Sequence, residues 1–270
     1  MKQWAARWLA AGAVSALLLS PAAGAPTRIA SLNLCTDELL LMLAEPRQIA
    51  SLTHLSHKPA ETPLWQRARR HRANDGSLLS VASLRPDLVL TMGGGARDRV
   101  RIAQRLGIRT LDLPYPQTIA DIEASIGTVA AAIGAQQSAR SLLAEIARLR
   151  RTAPRSGTDT IWLGGGGRSV DPASLAGAWM HLAGLRQRTL TGNRATLEQL
   201  LVRPPAILLR SDYRSGQYSG EQRWLSHPLA KARGRTRTIP TDGRRWTCMG
   251  PLMIGEVARL RRLRVEGSVR

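Results

Sequence analysis

The chain has 270 residues, and its 39 lysines and arginines outnumber its 19 aspartates and glutamates, which gives a net charge of +20. This balance suits an anionic ligand, an anionic membrane surface or nucleic acid, although a composition biased toward arginine explains it equally well. The arginines are spread along the chain and no nucleic-acid motif accompanies them, so we expect no nucleic-acid partner.

The first 25 residues have the pattern of an export signal. Lys2 and Arg7 precede an apolar run, Leu9–Leu19, and small residues follow it as far as Ala25. The run is too short to span a bilayer comfortably, so we predict a cleaved signal peptide at residues 1–25 and a periplasmic location rather than a membrane anchor.

Strand-like and helix-like segments alternate through the rest of the chain. The predicted strands are Arg28–Leu32, Gln48–Thr53, Asp87–Met92, Arg109–Leu113, Thr158–Leu163, Ala206–Arg210 and Thr236–Ile239. The predicted helices are Thr36–Ala44, Leu78–Leu84, Arg97–Leu106, Ile119–Ile133, Ala135–Arg151, Pro172–Ala183, Thr196–Leu201 and Pro251–Leu263. This alternation indicates an α/β fold with mainly parallel sheets.

Two halves of the chain repeat one pattern, a short amphipathic helix, then Arg-Pro, then an apolar strand. It occurs in SLLSVASLRPDLVL, Ser77–Leu90, and in ATLEQLLVRPPAILL, Ala195–Leu209. In both, the proline ends the helix. We therefore predict two lobes, residues 26–133 and 154–270, joined by a connecting helix at 134–153.

The segments IASLNLCTDELLLML, LRPDLVL, TLEQLLVRPPAILL and WTCMGPLMIGEVARL, in this order, resemble the periplasmic substrate-binding proteins that serve ABC importers of iron(III) siderophores and cobalamin. The resemblance extends from Thr27 to Leu263. It implies a class III architecture, in which one long helix joins two α/β lobes, and a monomer that carries its ligand in the cleft between the lobes to an inner-membrane permease.

Residues at the carboxyl ends of the strands should line that cleft. The predicted ligand-binding residues are Asn33, Cys35, His54, His57, Met92, Trp162, Tyr213, Arg214, Trp246 and Cys248. Trp162 and Trp246 suit stacking on a flat macrocycle. The glycine runs at 93–95 and 164–167 match no nucleotide-binding motif, and they fit close approach of a ligand or sharp turns.

Cys35 and Cys248 are the two cysteines of the chain, and the two-lobe arrangement places one at the cleft face of each lobe. Export favours a disulfide between them, which would link the lobes across the mouth of the cleft. Two free thiols that contact the ligand or a soft metal are the alternative.

The resemblance also implies one exposed docking glutamate in each lobe. Glu198 occupies this position in the second lobe, whereas Leu79 occupies it in the first, where the nearby Asp75 could substitute. The alternative for Glu198 is a first-turn glutamate that the helix dipole favours.

The predicted function is capture of a bulky metal-containing ligand, a corrinoid such as cobalamin or a ferric siderophore, and its delivery to the permease. A haem-binding protein of the same class, an exported enzyme and an accessory protein without a transport role are the alternatives. We find no nucleophile elbow, metal-ligand set or paired acids, so we predict no catalysis, no resident cofactor and no metal site.

Overall fold

A computed structural model describes residues 25–93, 97–211 and 236–266 of the chain. Two parallel sheets organise these residues. The strands are β1 (Ile29–Ser31), β2 (Ile49–Thr53), β3 (Arg72–Asn74), β4 (Leu88–Met92), β5 (Arg109–Leu113), β6 (Thr158–Leu163), β7 (Leu185–Gln187), β8 (Ile207–Ser211) and β9 (Arg237–Thr241). The signal peptide prediction for residues 1–25 falls almost wholly outside the described residues.

The helices alternate with these strands along the chain. They are α1 (Leu34–Leu43), α2 (Trp65–Ala68), α3 (Leu78–Ala82), α4 (Arg97–Arg105), α5 (Ile119–Ile133), α6 (Gln136–Arg151), α7 (Leu175–Leu182), α8 (Leu197–Val202), α9 (Arg245–Cys248) and α10 (Leu252–Glu266). In the part of the chain that is described, none of them is long and apolar enough to cross a membrane.

The first sheet has the strand order β3-β2-β1-β4-β5, and the second has the order β7-β6-β8-β9. All of their strand pairs are parallel. The order reverses between β1 and β4 in the first sheet and between β6 and β8 in the second. Such reversal points, at the carboxyl ends of the strands, are where open α/β sheets bind ligands.

The largest apolar core is continuous between the two sheets. It joins side chains from β1 and β2 with side chains from β8 and β9, through residues of α1, α5, α6, α7 and α10. Two smaller clusters cover the other faces, one on the first sheet around Val89 and one on the second around Ile161. Because close-packed cores resist deformation, this shared layer favours small relative movements of the two sheets.

The helix α6 forms where a helix was predicted from Ala135 to Arg151, near the middle of the chain. It presents Ala139, Ile146 and Leu149 to the shared core and leaves most of its charged residues exposed. Gly134, with φ of 77°, ends α5 in a left-handed conformation just before α6 begins. A glycine adopts this conformation without the steric cost that a side chain would bring.

Both predicted helix–Arg-Pro–strand units form. The helix α3 leads into β4 and the helix α8 leads into β8, and each strand lies inside its sheet. Two strands were not predicted, β3 and β7. Each has three residues and lies at a sheet edge, so too few side chains are buried to produce a recognisable hydrophobic pattern.

Candidate functional site

A cavity of about 570 Å³ opens at the carboxyl ends of β1 to β5. We call it the cleft cavity. The described residues that line it are Leu32, Asn33, Leu34, Cys35, Thr53, His54, Leu55, Asp75, Gly76, Thr91, Met92, Gly93, Asp112, Tyr115 and Thr247. Thr247, on α9, is the contribution of the second half of the chain to this lining. The volume lies within the range of small-molecule sites.

The N-terminus of α1 forms one wall of the cleft cavity. Asn33 caps the helix, because its side-chain oxygen accepts a hydrogen bond of 2.8 Å from the backbone N–H of Cys35. Its backbone oxygen accepts a second bond, from the Thr36 hydroxyl, at 2.9 Å. Asn33 therefore fixes the direction in which α1 leaves the sheet, and its amide group holds Cys35 at the cavity surface.

Another wall contains Gly93 and Tyr115, which follow β4 and β5. Gly93 has φ of 102°, and a Cβ atom built on it would lie 2.3 Å from Cε2 of Tyr115. The same relation recurs in the second half, where a Cβ on Gly164 would lie 2.5 Å from Cζ3 of Trp162. At Gly93 and Gly164 the glycine runs thus accommodate an aromatic ring of the protein itself.

Replacing Gly93 by alanine is expected to reduce the free energy of unfolding by about 1–3 kcal/mol, through backbone strain and displacement of the Tyr115 ring. Urea unfolding followed by circular dichroism would measure it. Gly107→Ala is the matched control, because Gly107 also has positive φ but has open space around its Cβ position. Equal losses in the two variants would contradict the proposed ring contact.

Two carboxylates face the cleft cavity, Asp75 after β3 and Asp112 on β5. Hydrogen bonds from Ser77 lower the pKa of Asp75 to about 2, so this side chain is ionised at neutral pH. Asp112 accepts a bond of 2.6 Å from the Thr91 hydroxyl. Asp112 was not predicted as a site residue, although it lies near the end of a predicted strand, the same criterion that selected Met92.

The histidines of the loop after β2 take different positions. His54 is exposed and lines the cleft cavity. His57 is not among the residues that line it, and burial, followed by the charges of Arg69 and His54, lowers its pKa. Within the described ranges, no group of three or more histidines, cysteines, aspartates and glutamates could hold a metal ion.

Cys35 and Cys248 form a disulfide, with their Cα atoms 5.3 Å apart. It joins the N-terminal turn of α1, beside the first sheet, to α9, which follows the last strand of the second sheet. Cys35 is partly exposed in the cleft cavity, whereas Cys248 is buried. The structure therefore contains the covalent link that was one of the two alternatives for these cysteines.

The other side of the disulfide borders a small cavity of about 10 Å³, which we call the inner cavity. Its lining includes Cys35, Cys248 and Glu38. Glu38 is 1% exposed; its Oε1 accepts a bond of 2.8 Å from the Thr62 hydroxyl, while its Oε2 is buried without a hydrogen-bond partner. Burial raises the pKa of Glu38 to about 8, and the neighbouring Asp37 also raises it.

Asp37 is buried beside Glu38, but both of its carboxylate oxygens accept hydrogen bonds. Its carboxylate accepts bonds from the backbone N–H and the hydroxyl of Thr53. Burial raises the pKa of Asp37 to about 7, although these hydrogen bonds oppose the shift. The start of α1 therefore carries two adjacent carboxyl groups that burial drives toward the neutral form, and neither was singled out from the sequence.

The two tryptophans predicted to stack on a ligand lie against each other. Their ring centroids are 6.0 Å apart, at an angle of 58°. Trp246 lies within α9 rather than at a strand end, is 6% exposed, and donates a bond of 2.8 Å to the Thr241 hydroxyl. Its ring is therefore part of the core. Tyr213 and Arg214 lie outside the described residues.

The candidate docking residues occupy equivalent positions in α3 and α8. Ser77 and Thr196 cap these helices, and the second helical residue after each cap is Leu79 or Glu198, both exposed. Leu79 is 78% exposed, which is unusual for a large apolar side chain. Asp75 is also exposed and lies two residues before the cap of α3.

Comparisons with solved structures show a common fold. The periplasmic heme-binding protein HutB of Vibrio cholerae is 16% identical, with a TM-score of 0.66 over 88% of this chain and 98% of that one. RhuT, a heme-binding protein from Roseiflexus sp. RS-1, is 19% identical, with a TM-score of 0.64 over 87% and 97%. The vitamin B12 binding protein BtuF of Vibrio cholerae is 16% identical, with a TM-score of 0.58 over 91% and 99%.

A comparison with curated protein sequences found no match. The structural likeness confirms the predicted α/β class with parallel sheets, and at these identities it shows the fold alone. The family model described as "Periplasmic binding protein" matches residues 29–169, which is more than half of the chain. The chain therefore belongs to the periplasmic binding protein family.

Proposed function

We propose that the protein is the solute-binding component of an ABC importer. It captures a bulky metal-containing small molecule in the cleft cavity and delivers it to a permease in the inner membrane, without catalysing a reaction. Family membership supports this role, and so does the position of the cavity at the point where the strand order of the first sheet reverses. The related structures include proteins that bind heme and vitamin B12.

We choose among the candidate ligands by the charged residues that line the cleft cavity. Its described lining includes the carboxylates Asp75 and Asp112, while no lysine or arginine is found in that lining. Carboxylates repel the propionates of haem and the net negative charge of many ferric siderophores. We therefore propose a neutral or cationic corrinoid, although the net charge of the whole chain is strongly positive.

We further propose that residues 26–133 and 154–270 act as the two lobes, joined by residues 134–153. The exposed carboxylate of Glu198 would meet cationic side chains of the permease. In the first lobe Leu79 occupies the equivalent position, so the nearby Asp75 would supply the negative charge there. On this proposal the protein works as a monomer that presents both lobes to the permease.

A thermal-shift screen tests the choice of ligand, because a ligand that binds only the folded state raises the melting temperature. The panel is diaquacobinamide, cobalamin, haem and ferric siderophores of differing charge, with the mature protein. The double variant Asp75→Asn/Asp112→Asn is expected to bind cationic cobinamide about tenfold more weakly and neutral cobalamin nearly unchanged.

The amide variants keep an oxygen acceptor for Ser77 and Thr91, so the local structure is retained. Glu45→Gln, at an exposed carboxylate outside the cleft cavity lining, is the matched control. Saturable binding of haem or an anionic siderophore, strengthened by the double variant, would overturn the corrinoid assignment while leaving the transport role in place.

A further inference from the structure

The disulfide links the two halves of the chain beside the cleft cavity, where a reductant can reach it. Cys35 lines the cleft cavity and is partly exposed, so this half of the disulfide borders the cleft. Cys248 is 8% exposed and lines the inner cavity. An attacking thiolate therefore has access to Cys35 from the cleft, and Cys248 becomes the leaving group.

The surroundings of both sulfurs favour cleavage. Cys35 is the second residue of the ten-residue helix α1, where the helix dipole stabilises a thiolate. Beside the buried Cys248, Glu38 lines the same inner cavity with an oxygen that has no hydrogen-bond partner. A neutral carboxyl group there can supply a proton to the departing sulfur.

We propose that the Cys35–Cys248 disulfide is a reversible redox latch across the cleft, opened by a dithiol that attacks Cys35, with Glu38 as the proton donor to Cys248. A test of this latch is independent of the proposed transport role, because the step involves no bound ligand.

The reaction balances as a two-electron thiol–disulfide exchange. The dithiol forms a bond to Cys35 Sγ, the Sγ–Sγ bond breaks, and Cys248 Sγ leaves with the electron pair and takes the proton from Glu38. The second thiol of the dithiol then attacks the mixed disulfide and releases Cys35 as a thiolate. The dithiol is oxidised to a disulfide, and its second proton restores the Glu38 carboxyl group through solvent.

The protonation of Glu38 limits the pH range of this step. Besides burial, the charged groups that act on its pKa are Asp37 on α1, Arg245 on α9 and Asp242 just before α9. Arg245 lowers the pKa, whereas Asp37 and Asp242 raise it. Because the resulting pKa is about 8, Glu38 keeps its proton at neutral pH and loses it as the pH rises toward 9.

Among the described residues, one hydrogen bond near the disulfide also links the two halves of the chain. Arg244, just before α9, donates a bond of 2.7 Å to the backbone oxygen of Pro59, in the loop after β2. The shared core between the sheets does not depend on the disulfide. We therefore expect reduction to loosen the contact between α9 and α1 while the two sheets stay packed together.

The test is native reduction of the mature chain by dithiothreitol, without denaturant, quenched with iodoacetamide and read by mass spectrometry. Rates are divided by the thiolate concentration at each pH between 6.5 and 9.5. For the native protein this normalised rate should fall above pH 8. In Glu38→Gln it should be about tenfold or more lower at pH 7 and independent of pH.

Glu145→Gln, at an exposed carboxylate of α6, is the control and should behave as the native protein. Amide hydrogen exchange of the reduced protein should be faster at residues 244–249 than in the oxidised protein, with an unchanged circular dichroism spectrum. Three results would overturn the latch: reduction only in denaturant, equal rates and pH profiles for Glu38→Gln and the native protein, or unchanged hydrogen exchange at residues 244–249 after complete reduction.

Discussion

Replacing both Cys35 and Cys248 by serine is expected to lower the free energy of unfolding by about 4 kcal/mol. The disulfide joins residues 213 positions apart, so it removes a large share of the conformational freedom of the unfolded chain. For a protein of this size the melting temperature should fall by about 8–16 °C. Calorimetry of the mature protein would measure the loss.

Two further samples separate the crosslink from the side chains. The native protein kept reduced with dithiothreitol should lose about as much stability as the double serine variant, because both lack the same constraint. Oxidised protein carrying Glu145→Gln should lose almost nothing, since that exposed ion pair contributes little. A double serine variant with the same melting temperature as the oxidised native protein would contradict the covalent link.

The buried carboxyl groups of α1 should make the protein less stable as the pH rises. In the unfolded chain Glu38 and Asp37 have their ordinary pKa values of 4.5 and 3.8, whereas in the folded protein these values are about 8 and about 7. Between the two sets of values folding takes up protons, so the free energy of unfolding falls as the pH rises from about 4 to about 8. Above that range the effect levels off.

Glu38→Gln is expected to remove the larger part of this fall in the free energy of unfolding with rising pH. Relative to the native protein, the variant should gain about 2–3 kcal/mol in free energy of unfolding between pH 5.5 and pH 8.5. The glutamine keeps an oxygen for the Thr62 hydroxyl, and any cost of its buried N–H group is the same at both pH values. Urea unfolding at the two pH values, under oxidising conditions, would measure the difference.

The native protein and Glu38→Gln must be compared by how their free energies of unfolding change with pH, rather than by their stabilities at one pH. Arg245 and Asp242 also act on the pKa of Glu38, Arg245 lowering it and Asp242 raising it. Arg259 pairs with the other buried glutamate, Glu256, so that group already has a cationic partner. Parallel pH profiles for Glu38→Gln and the native protein would show that Glu38 is ionised in the fold and would contradict the assigned shift.

The repeated helix–Arg-Pro–strand units could be predicted from the sequence because local signals and burial agree there. In each, a capping residue, a short amphipathic helix, a proline and an apolar strand follow one another, at Ser77–Leu90 and Ala195–Leu209. The edge strands β3 and β7 could not be predicted in this way. Their sequences, RAN and LRQ, acquire strand structure from backbone pairing with a neighbour.

The candidate site was predictable to the extent that strand ends define it. Asn33, Cys35, His54 and Met92 were selected because they follow strands, and all of them line the cleft cavity. Glu38 could not be found in this way, because a glutamate in an amphipathic helix is normally assigned to the solvent face. Its burial depends on Thr62 and α9, which only the fold brings together with it.

Trp246 shows the opposite error. A tryptophan close to a predicted strand end is a reasonable candidate for stacking on a ligand. In the fold its ring turns into the core, where Trp162 packs against it and Thr241 satisfies its N–H group. The direction of one side chain in a four-residue helix is set by its tertiary contacts, and no periodicity in the sequence specifies it.

The measurement that tests the binding role most directly is calorimetric titration of the mature protein with cobinamide and cobalamin. Thr247→Trp would fill the cleft cavity from its exposed position on α9, and His181→Trp places the same side chain at an exposed position outside the cavity lining. We predict saturable binding with one site, which Thr247→Trp abolishes and His181→Trp leaves unchanged. Equal affinity in both variants, or no heat with either corrinoid, would contradict capture of a corrinoid in this cavity.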